Sequence, residues 1–370
     1  MEGIARSQKE IKEICSKFFI YGDFMVAVPF GNGNINDTYQ VTYDQGGARL
    51  HYILQHINGR VFKNPIHVMN NVDRVTQHLL QKIRGRHSET RYRTLRLLRS
   101  FTDKPYVQDD DGNFWRAYIF VENARSYDVL ENESQAYNIA RAFGLFQNDL
   151  VDLPGERLHE TIPDFHHTPK RLEALEQAVK ADTYGRVKTA LREIDFAMKR
   201  KEEAGILLKL NESGDIPERI THNDTKANNI LIDDLTGEGV CVIDLDTVMP
   251  GLALYDFGDM MRSGTNPAEE DEVDLRKVYM DFSMFEAMLR GFWSSGSSFL
   301  TPAEKEYLPF SGKLITLEIG IRFLTDYLNG DVYFKTKRPT HNIERCRNQF
   351  KLVESMEQQM GKMTALLSQL

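Results

Sequence analysis

The segment Thr221–Val248, THNDTKANNILIDDLTGEGVCVIDLDTV, decides the reading of this chain. It carries His222, Asp224, Lys226 and Asn229 in a short polar run, then an apolar strand, a glycine turn, a second apolar strand and Asp244. Pairing Ile230–Ile232 with Val240–Ile243 about a turn near Thr236–Gly237 makes an antiparallel hairpin. In that register Asn229 falls opposite Asp244, and two oxygen ligands converge at the open end. Magnesium suits such a place, because it takes few protein oxygens and completes its octahedron with water and phosphate. Asp224 enters the same end and can accept a proton from an attacking hydroxyl. His222 is expected to brace the loop by hydrogen bonds and to take no proton.

The spacing H-x-D-x-x-x-x-N, followed by a strand ending in Ile-Asp, resembles the catalytic loop and metal-binding aspartate of protein-kinase-like phosphotransferases. Downstream, Asp256-Phe257-Gly258 spells the protein-kinase metal triplet, but no strand leads into it at the right distance from Asn229. Asp244 is therefore the expected metal ligand. By resemblance to aminoglycoside-phosphotransferase-like enzymes, Asp256 is expected to hydrogen-bond to the catalytic loop and stiffen it.

Upstream, Gly31-Asn32-Gly33-Asn34-Ile35-Asn36 lies between two strand-like runs, where small residues let backbone N–H groups approach phosphate. A kinase-like enzyme usually carries a lysine on the third strand, paired with a glutamate on the next helix. Here that strand reads Arg49–Gln55 and ends in Leu54-Gln55-His56, and the helix expected over Ile66–Ile83 has no glutamate. Gln55 can donate hydrogen bonds but brings no charge, so Lys226 is the expected cation facing the γ-phosphate. A second helix is expected over Thr90–Ser100. YVQDDDGNFWRAYIFVE then reads as a hairpin turning at Asp110–Asn113, with Phe114–Val121 a central strand. The adenine is expected against the strand end at Phe120, Val121 and Glu122. From Ser134 onward the pattern is helical, apart from the hairpin near residue 235. The acidic run Glu269–Asp274 is expected to begin a solvated helix, and His166 and His167 to be loop or surface residues.

Composition agrees with a globular two-domain protein: 370 residues, 41% hydrophobic and 27% charged. A net charge of −8 argues against nucleic-acid and anionic-membrane partners, and the sequence points to no protein partner. The opening residues set Ile4, Ile11, Ile14 and Phe18 at helical spacing and lack the apolar stretch of a secretory signal. Cys15, Cys241 and Cys346 are scattered and odd in number, the pattern of buried thiols in a reducing cytoplasm.

GNGNINDTYQV, RLHYILQHIN, FWRAYIFVEN, FHHTP, the Thr221–Val248 segment, LYDFGDMMR and EIGIRFLTDYLNGDVYF together resemble the N-acetylhexosamine 1-kinases of the aminoglycoside-phosphotransferase-like group, over nearly the whole chain. The resemblance implies an α+β, bilobal, protein-kinase-like fold. Residues 1–121 would form a small antiparallel β-sheet lobe that binds nucleotide. Residues 122–370 would form a mainly helical lobe with the catalytic loop and sugar site. It implies ATP and Mg²⁺, and phosphorylation of the anomeric hydroxyl of N-acetylglucosamine or N-acetylgalactosamine. Asp224 matches the base, Asn229 and Asp244 the metal ligands, and Arg322 and Tyr333 the residues that hold the sugar. Gln55 is itself usual in that family, whereas Asn34 stands where its glycine loop commonly presents a histidine to the sugar, which bears on sugar preference. The other readings are a same-fold kinase of another hydroxyl compound (an aminoglycoside, choline or another sugar) and a nucleotide-binding regulator without catalysis.

Overall fold

The computed structural model describes residues 6–31, 35–86 and 92–370. Gly33 and Asn34 therefore lie outside the described residues. The chain divides into two compact units. The first holds the chain up to Ala124 together with Leu153–Pro163 and Val240–Met249, and the second holds the rest. The expected first boundary, at residues 121 and 122, lies close to the crossing at Ala124, but two later segments return to the first unit.

The first unit is built on a five-stranded antiparallel sheet. Its strands are β1 (Asp23–Pro29), β2 (Asp37–Gln45), β3 (Ala48–His56), β4 (Val107–Gln108) and β5 (Phe114–Ile119), in the order β1-β2-β3-β5-β4. Alternation puts Tyr39, Val41 and Tyr43 of β2, Tyr52 and Leu54 of β3, and Trp115 and Ala117 of β5 on one buried face. Helix α1 (Gln8–Cys15) closes that core with Ile11, Ile14 and Cys15. A reciprocal Ser7–Glu10 capping box starts it. Helix α2 (Pro65–Gly85) buries Val68, Val72, Val75 and Leu79 along one stripe.

Tyr92–Ser100, expected as helix, is not helical. Its backbone joins neighbouring segments instead: Leu98 donates to Ala117 O at 2.8 Å, and Ile119 donates to Arg96 O at 3.0 Å. The open side of β5 offers those partners, and tertiary pairing overrides local helical preference. The hairpin turn is as expected, with Asp109 N–H on Asn113 O at 3.0 Å and Gly112 at φ 82°.

The second unit is mainly helical. Its longer helices are α3 (Glu133–Leu150), α4 (Thr168–Ala181), α5 (Ala253–Gly264), α6 (Phe282–Gly296), α7 (Leu308–Leu328) and α8 (His341–Leu367). Helix α7 is apolar nearly all round, and its Leu317, Ile321 and Leu324 pack with Leu175 of α4 and Phe350 and Val353 of α8. The acidic run is not a helix. Four of its five carboxylates are paired, Glu270 with Arg262, Asp271 with Lys337 and His341, Glu272 with Lys277, and Asp274 with Arg276. Cys15, Cys241 and Cys346 are buried free thiols, and burial pushes Cys15 and Cys241 up to about 12. Among the described residues no helix is long and apolar enough to cross a membrane.

Helices α3 and α6 approach through glycine. A Cβ on Gly291 would lie 2.2 Å from the carbonyl oxygen of Tyr137, which as backbone has no rotamer to yield. Gly291→Ala should therefore lower stability by about 1–3 kcal/mol. Gly361→Ala on α8, with open space around it, should stabilise by up to ~1 kcal/mol through helix propensity. Thermal melts of the two variants check this, and equal melting temperatures would refute the packing account.

Candidate active site

The loop after the short strand Arg219–Thr221 is held through its backbone. Asp256 in the first turn of α5 is fully buried, and its carboxylate accepts the N–H of His222 at 2.9 Å and of Asn223 at 2.7 Å. Gln147 of α3 donates to the same carboxylate at 2.6 Å, and Thr225 Oγ1 donates to the Asp256 carbonyl at 2.6 Å. Burial raises the Asp256 pKa, and His222 with these donors opposes it. In the same triplet Phe257 is core, and a Cβ on Gly258 would lie 2.5 Å from Ser311 O of α7. All three residues of the kinase-like triplet thus have visible packing or bracing contacts.

Asn223 is left-handed, with φ 65°, a conformation that asparagine tolerates better than most residues. Its side chain is tied to Thr221 by bonds of 3.0 and 3.2 Å. A Cβ on Gly251 would lie 2.3 Å from Thr221 Oγ1 and 2.8 Å from Asn223 Oδ1, so only glycine fits there. His222 is fully buried, edge-on to Phe143 and Phe146. Its Nδ1 accepts the Asp224 N–H at 3.3 Å.

Asp224 is thereby presented with two partners. Lys226 Nζ lies 3.0 Å from Oδ1, and Asn229 Nδ2 donates to the Asp224 carbonyl at 2.7 Å and to Oδ2 at 3.2 Å. Burial would raise the Asp224 pKa, but Lys226, then His222 and Arg262, hold it below the usual carboxylate range. Lys226 is correspondingly raised by Asp224. Asn229 closes a short turn, Ala227–Asn229, and points its amide nitrogen at Asp224, so its oxygen faces away, as a cation ligand requires.

His166 lies in a turn, within the expected reading as a loop or surface residue, but it is buried. Its Nδ1 lies 2.8 Å from Glu318 Oε1 and its Nε2 lies 3.0 Å from the Asn223 carbonyl oxygen. Thr168 donates to the other Glu318 oxygen at 2.7 Å. Both ring nitrogens face acceptors, so both donate and the ring is an imidazolium. Burial opposes that charge, and contact with Glu318 overcomes it. His167 caps α4 by accepting the Lys170 N–H.

Arg322 stands one turn after Glu318 on α7, and the rings of Phe165, Tyr333 and Phe334 lie 5.5–5.7 Å from its guanidinium carbon. Among the described residues none forms an ion pair or hydrogen bond with Arg322. Arg171, which donates to the Asp164 and Phe165 carbonyls, has its Nε buried without a partner among the described residues. Tyr333 follows α7 with 63% of its surface exposed, and Asp326 accepts its N–H at 2.8 Å.

In the first unit, Gly31 precedes the glycine loop's undescribed part at φ 77°. Gln55 on β3 pairs with Arg116 on β5. Arg116, fully buried, donates to Gln55 Oε1 through Nε at 2.9 Å and Nη2 at 2.5 Å, and through Nη1 to Asp246. Asp244 is left-handed at φ 58°, at the start of a short turn, Leu245–Thr247. Arg116 escaped the sequence reading, although an arginine inside the apolar run FWRAYIFV was the available signal. At the expected adenine wall, Phe120 lies edge-on to Phe30 and His51, and its N–H already bonds to His51 O at 3.2 Å. Glu122 accepts from His51 at 2.7 Å through its carboxylate, and its carbonyl accepts from Arg93 at 3.1 Å.

A family model described as the phosphotransferase enzyme family matches residues 26–281. The fold is similar to an aminoglycoside phosphotransferase from Alicyclobacillus acidocaldarius, with TM-score 0.64 and 14% identity over 97% of this chain and 96% of that one. A microcompartment-associated aminopropanol kinase matches at TM-score 0.59 and 13% identity, over 96% and 98%. A spectinomycin phosphotransferase, solved with ADP and spectinomycin, matches at TM-score 0.56 and 12% identity, over 99% of each chain.

The Asp224–Lys226 pair generates a pH prediction. The Asp224 pKa is depressed, so its carboxylate is present above that pKa and is lost as pH falls through it. Without Lys226, burial is opposed only by the weaker partners, and the pKa rises. The acid limb of the kcat profile should move to higher pH in Lys226→Ala and stay near the wild-type position in Lys226→Arg. An unmoved limb in Lys226→Ala would show that Asp224 does not set it.

Proposed function

As the chain belongs to the phosphotransferase enzyme family, we propose that it transfers the γ-phosphoryl group of ATP to the anomeric hydroxyl of a free N-acetylhexosamine. Asp224 orients that hydroxyl and takes its proton while the sugar oxygen bonds to the γ-phosphorus. The bond from phosphorus to the bridging oxygen breaks, and ADP leaves with the electron pair. The products are ADP and a sugar 1-phosphate. Such transition states ask for positioning and charge neutralisation more than covalent help. Asn229 and Asp244 would hold Mg²⁺, which neutralises phosphate charge when bound. Lys226 shares that task from beside Asp224. Gly31, Gly33 and Gln55 would meet the phosphates, and Phe120–Glu122 the adenine.

The observation that carries the acceptor assignment is Arg322, a guanidinium without a carboxylate partner among the described residues, enclosed by three rings. Free guanidinium donors and aromatic faces suit the hydroxyl and acetamido oxygens of a neutral sugar. The guanidinium charge repels the cationic amines of an aminoglycoside or an amino alcohol. In the acidic run that could have received a polycation, four of the five carboxylates are already held in ion pairs. With Arg322, Tyr333 and Asn34 would line the sugar. The intact Asp224 speaks against a non-catalytic regulator, since nucleotide binding alone needs no base.

Steady-state turnover with ATP on a panel of acceptors tests this. N-acetylglucosamine or N-acetylgalactosamine should be consumed, with aminoglycosides, choline and aminopropanol far slower. Asp224→Asn should keep ATP and sugar binding yet lose turnover by on the order of 10² to 10⁴. Arg322→Ala should raise the sugar KM by about tenfold or more, and Tyr333→Phe by less, with the ATP KM nearly unchanged. Preference for a cationic acceptor, or Asp224→Asn at half of wild-type turnover, would overturn the reading.

A further inference from the structure

The chain has no lysine at Gln55, yet a cation is buried in the adjacent register position. We propose that Arg116 takes that lysine's place as a positioning residue: from the neighbouring strand, through its ion pair with Asp246, it ties Gln55 and Asn36 at the end of the glycine loop to the Asp244–Asp246 segment and so sets the phosphate end of the nucleotide site. The inference rests on the nucleotide-binding part of the function just proposed.

The network is continuous. Gln55 and Arg116 are direct cross-strand partners on β3 and β5, so their side chains share one face of the sheet. Gln55 Nε2 donates to Thr38 Oγ1 at 3.0 Å, which turns Oε1 toward Arg116. The guanidinium fork then donates twice to that oxygen and once to Asp246 Oδ1. Asp246 Oδ2 accepts from Asn36 Nδ2 at 2.6 Å, and Asn36 ends the glycine loop. Asn36 Oδ1 in turn accepts the Asn58 N–H at 3.0 Å. Thr161 Oγ1 holds the Asp246 carbonyl at 2.8 Å.

Charge balance gives this cluster a purpose beyond packing. Arg116 is 0% exposed and Asp246 2%; a charge so buried persists only when paired. The negative charge of Asp244 adds to the field that keeps Arg116 ionised. A lysine at position 55 would point its ammonium at Arg116, and like charges directly opposite on a sheet are destabilising. Gln55 and Arg116 are therefore alternatives to a third-strand lysine, chosen together.

Calorimetric titration of Mg·ATP into the full-length protein, without sugar, tests the proposal, alongside melting of each apoprotein. Arg116→Gln should weaken Mg·ATP binding about tenfold or more, as expected for loss of charged hydrogen bonds. Gln55→Lys alone should also weaken it, because two cations then face each other. The Gln55→Lys/Arg116→Gln double variant, with one cation again at that register pair, should bind more tightly than either single variant. Asn36→Ala cuts the far end of the network and leaves the buried ion pair whole. It should weaken Mg·ATP by about threefold to tenfold, and it carries the comparison where Arg116→Gln fails to fold. Variants that melt lower yet bind Mg·ATP like wild type would make the cluster purely structural and overturn the proposal. So would a double variant no better than the singles. Wild-type protein that binds no Mg·ATP would sink the nucleotide reading itself.

Discussion

The second unit depends on one constraint: a buried carboxylate, Asp256, holding the backbone of a loop that would otherwise have no regular hydrogen bonds. Loop N–H groups must find acceptors when buried. Here the N–H groups of His222 and Asn223 find theirs on a single side chain at the start of α5. Gln147 fixes the carboxylate from α3, and the imidazolium of His166 holds the Asn223 carbonyl from the other side. Gripped on both N–H and C=O, Asn223 can occupy its left-handed conformation, and Asp224 is set beside Lys226 and Asn229 as a consequence. The precision asked of a catalytic loop, where a small displacement costs heavily in rate, is supplied by groups that need never touch substrate.

The charges are arranged to a similar end in both units. In the second, His166 and Glu318 neutralise each other in the core, Asp224 is kept ionised by Lys226, and Arg322 is left to aromatic rings. In the first, Arg116 and Asp246 neutralise each other.

The sequence was most legible where chemistry is local. The residues of the H-x-D-x-x-x-x-N loop lie within one segment, so their spacing already implied a shared site. The β2–β3 and β4–β5 regions announced themselves by alternation and by the Asp-Gly turn. Legibility ended where a residue's partner comes from elsewhere in the chain. Tyr92–Ser100 has helical apolar spacing, yet its backbone bonds to the side of β5. The partners of Asp271 in the acidic run, Lys337 and His341, are more than sixty residues downstream and left no local signal. His166 looked like a loop histidine because Glu318 and Asn223 are distant in sequence. The absence of a lysine at Gln55 could be read directly, whereas its replacement by Arg116 requires the β3–β5 register.

The account's central claim is the transfer of phosphate to an anomeric oxygen, and the position of phosphate in the product tests it most directly. Phosphorus and proton NMR of the product formed from N-acetylglucosamine and ATP should show phosphorus coupled to the anomeric proton, and the ester should no longer reduce mild oxidants. Phosphorus coupled to the protons on carbon 6, with the anomeric centre still free and mutarotating, would contradict it.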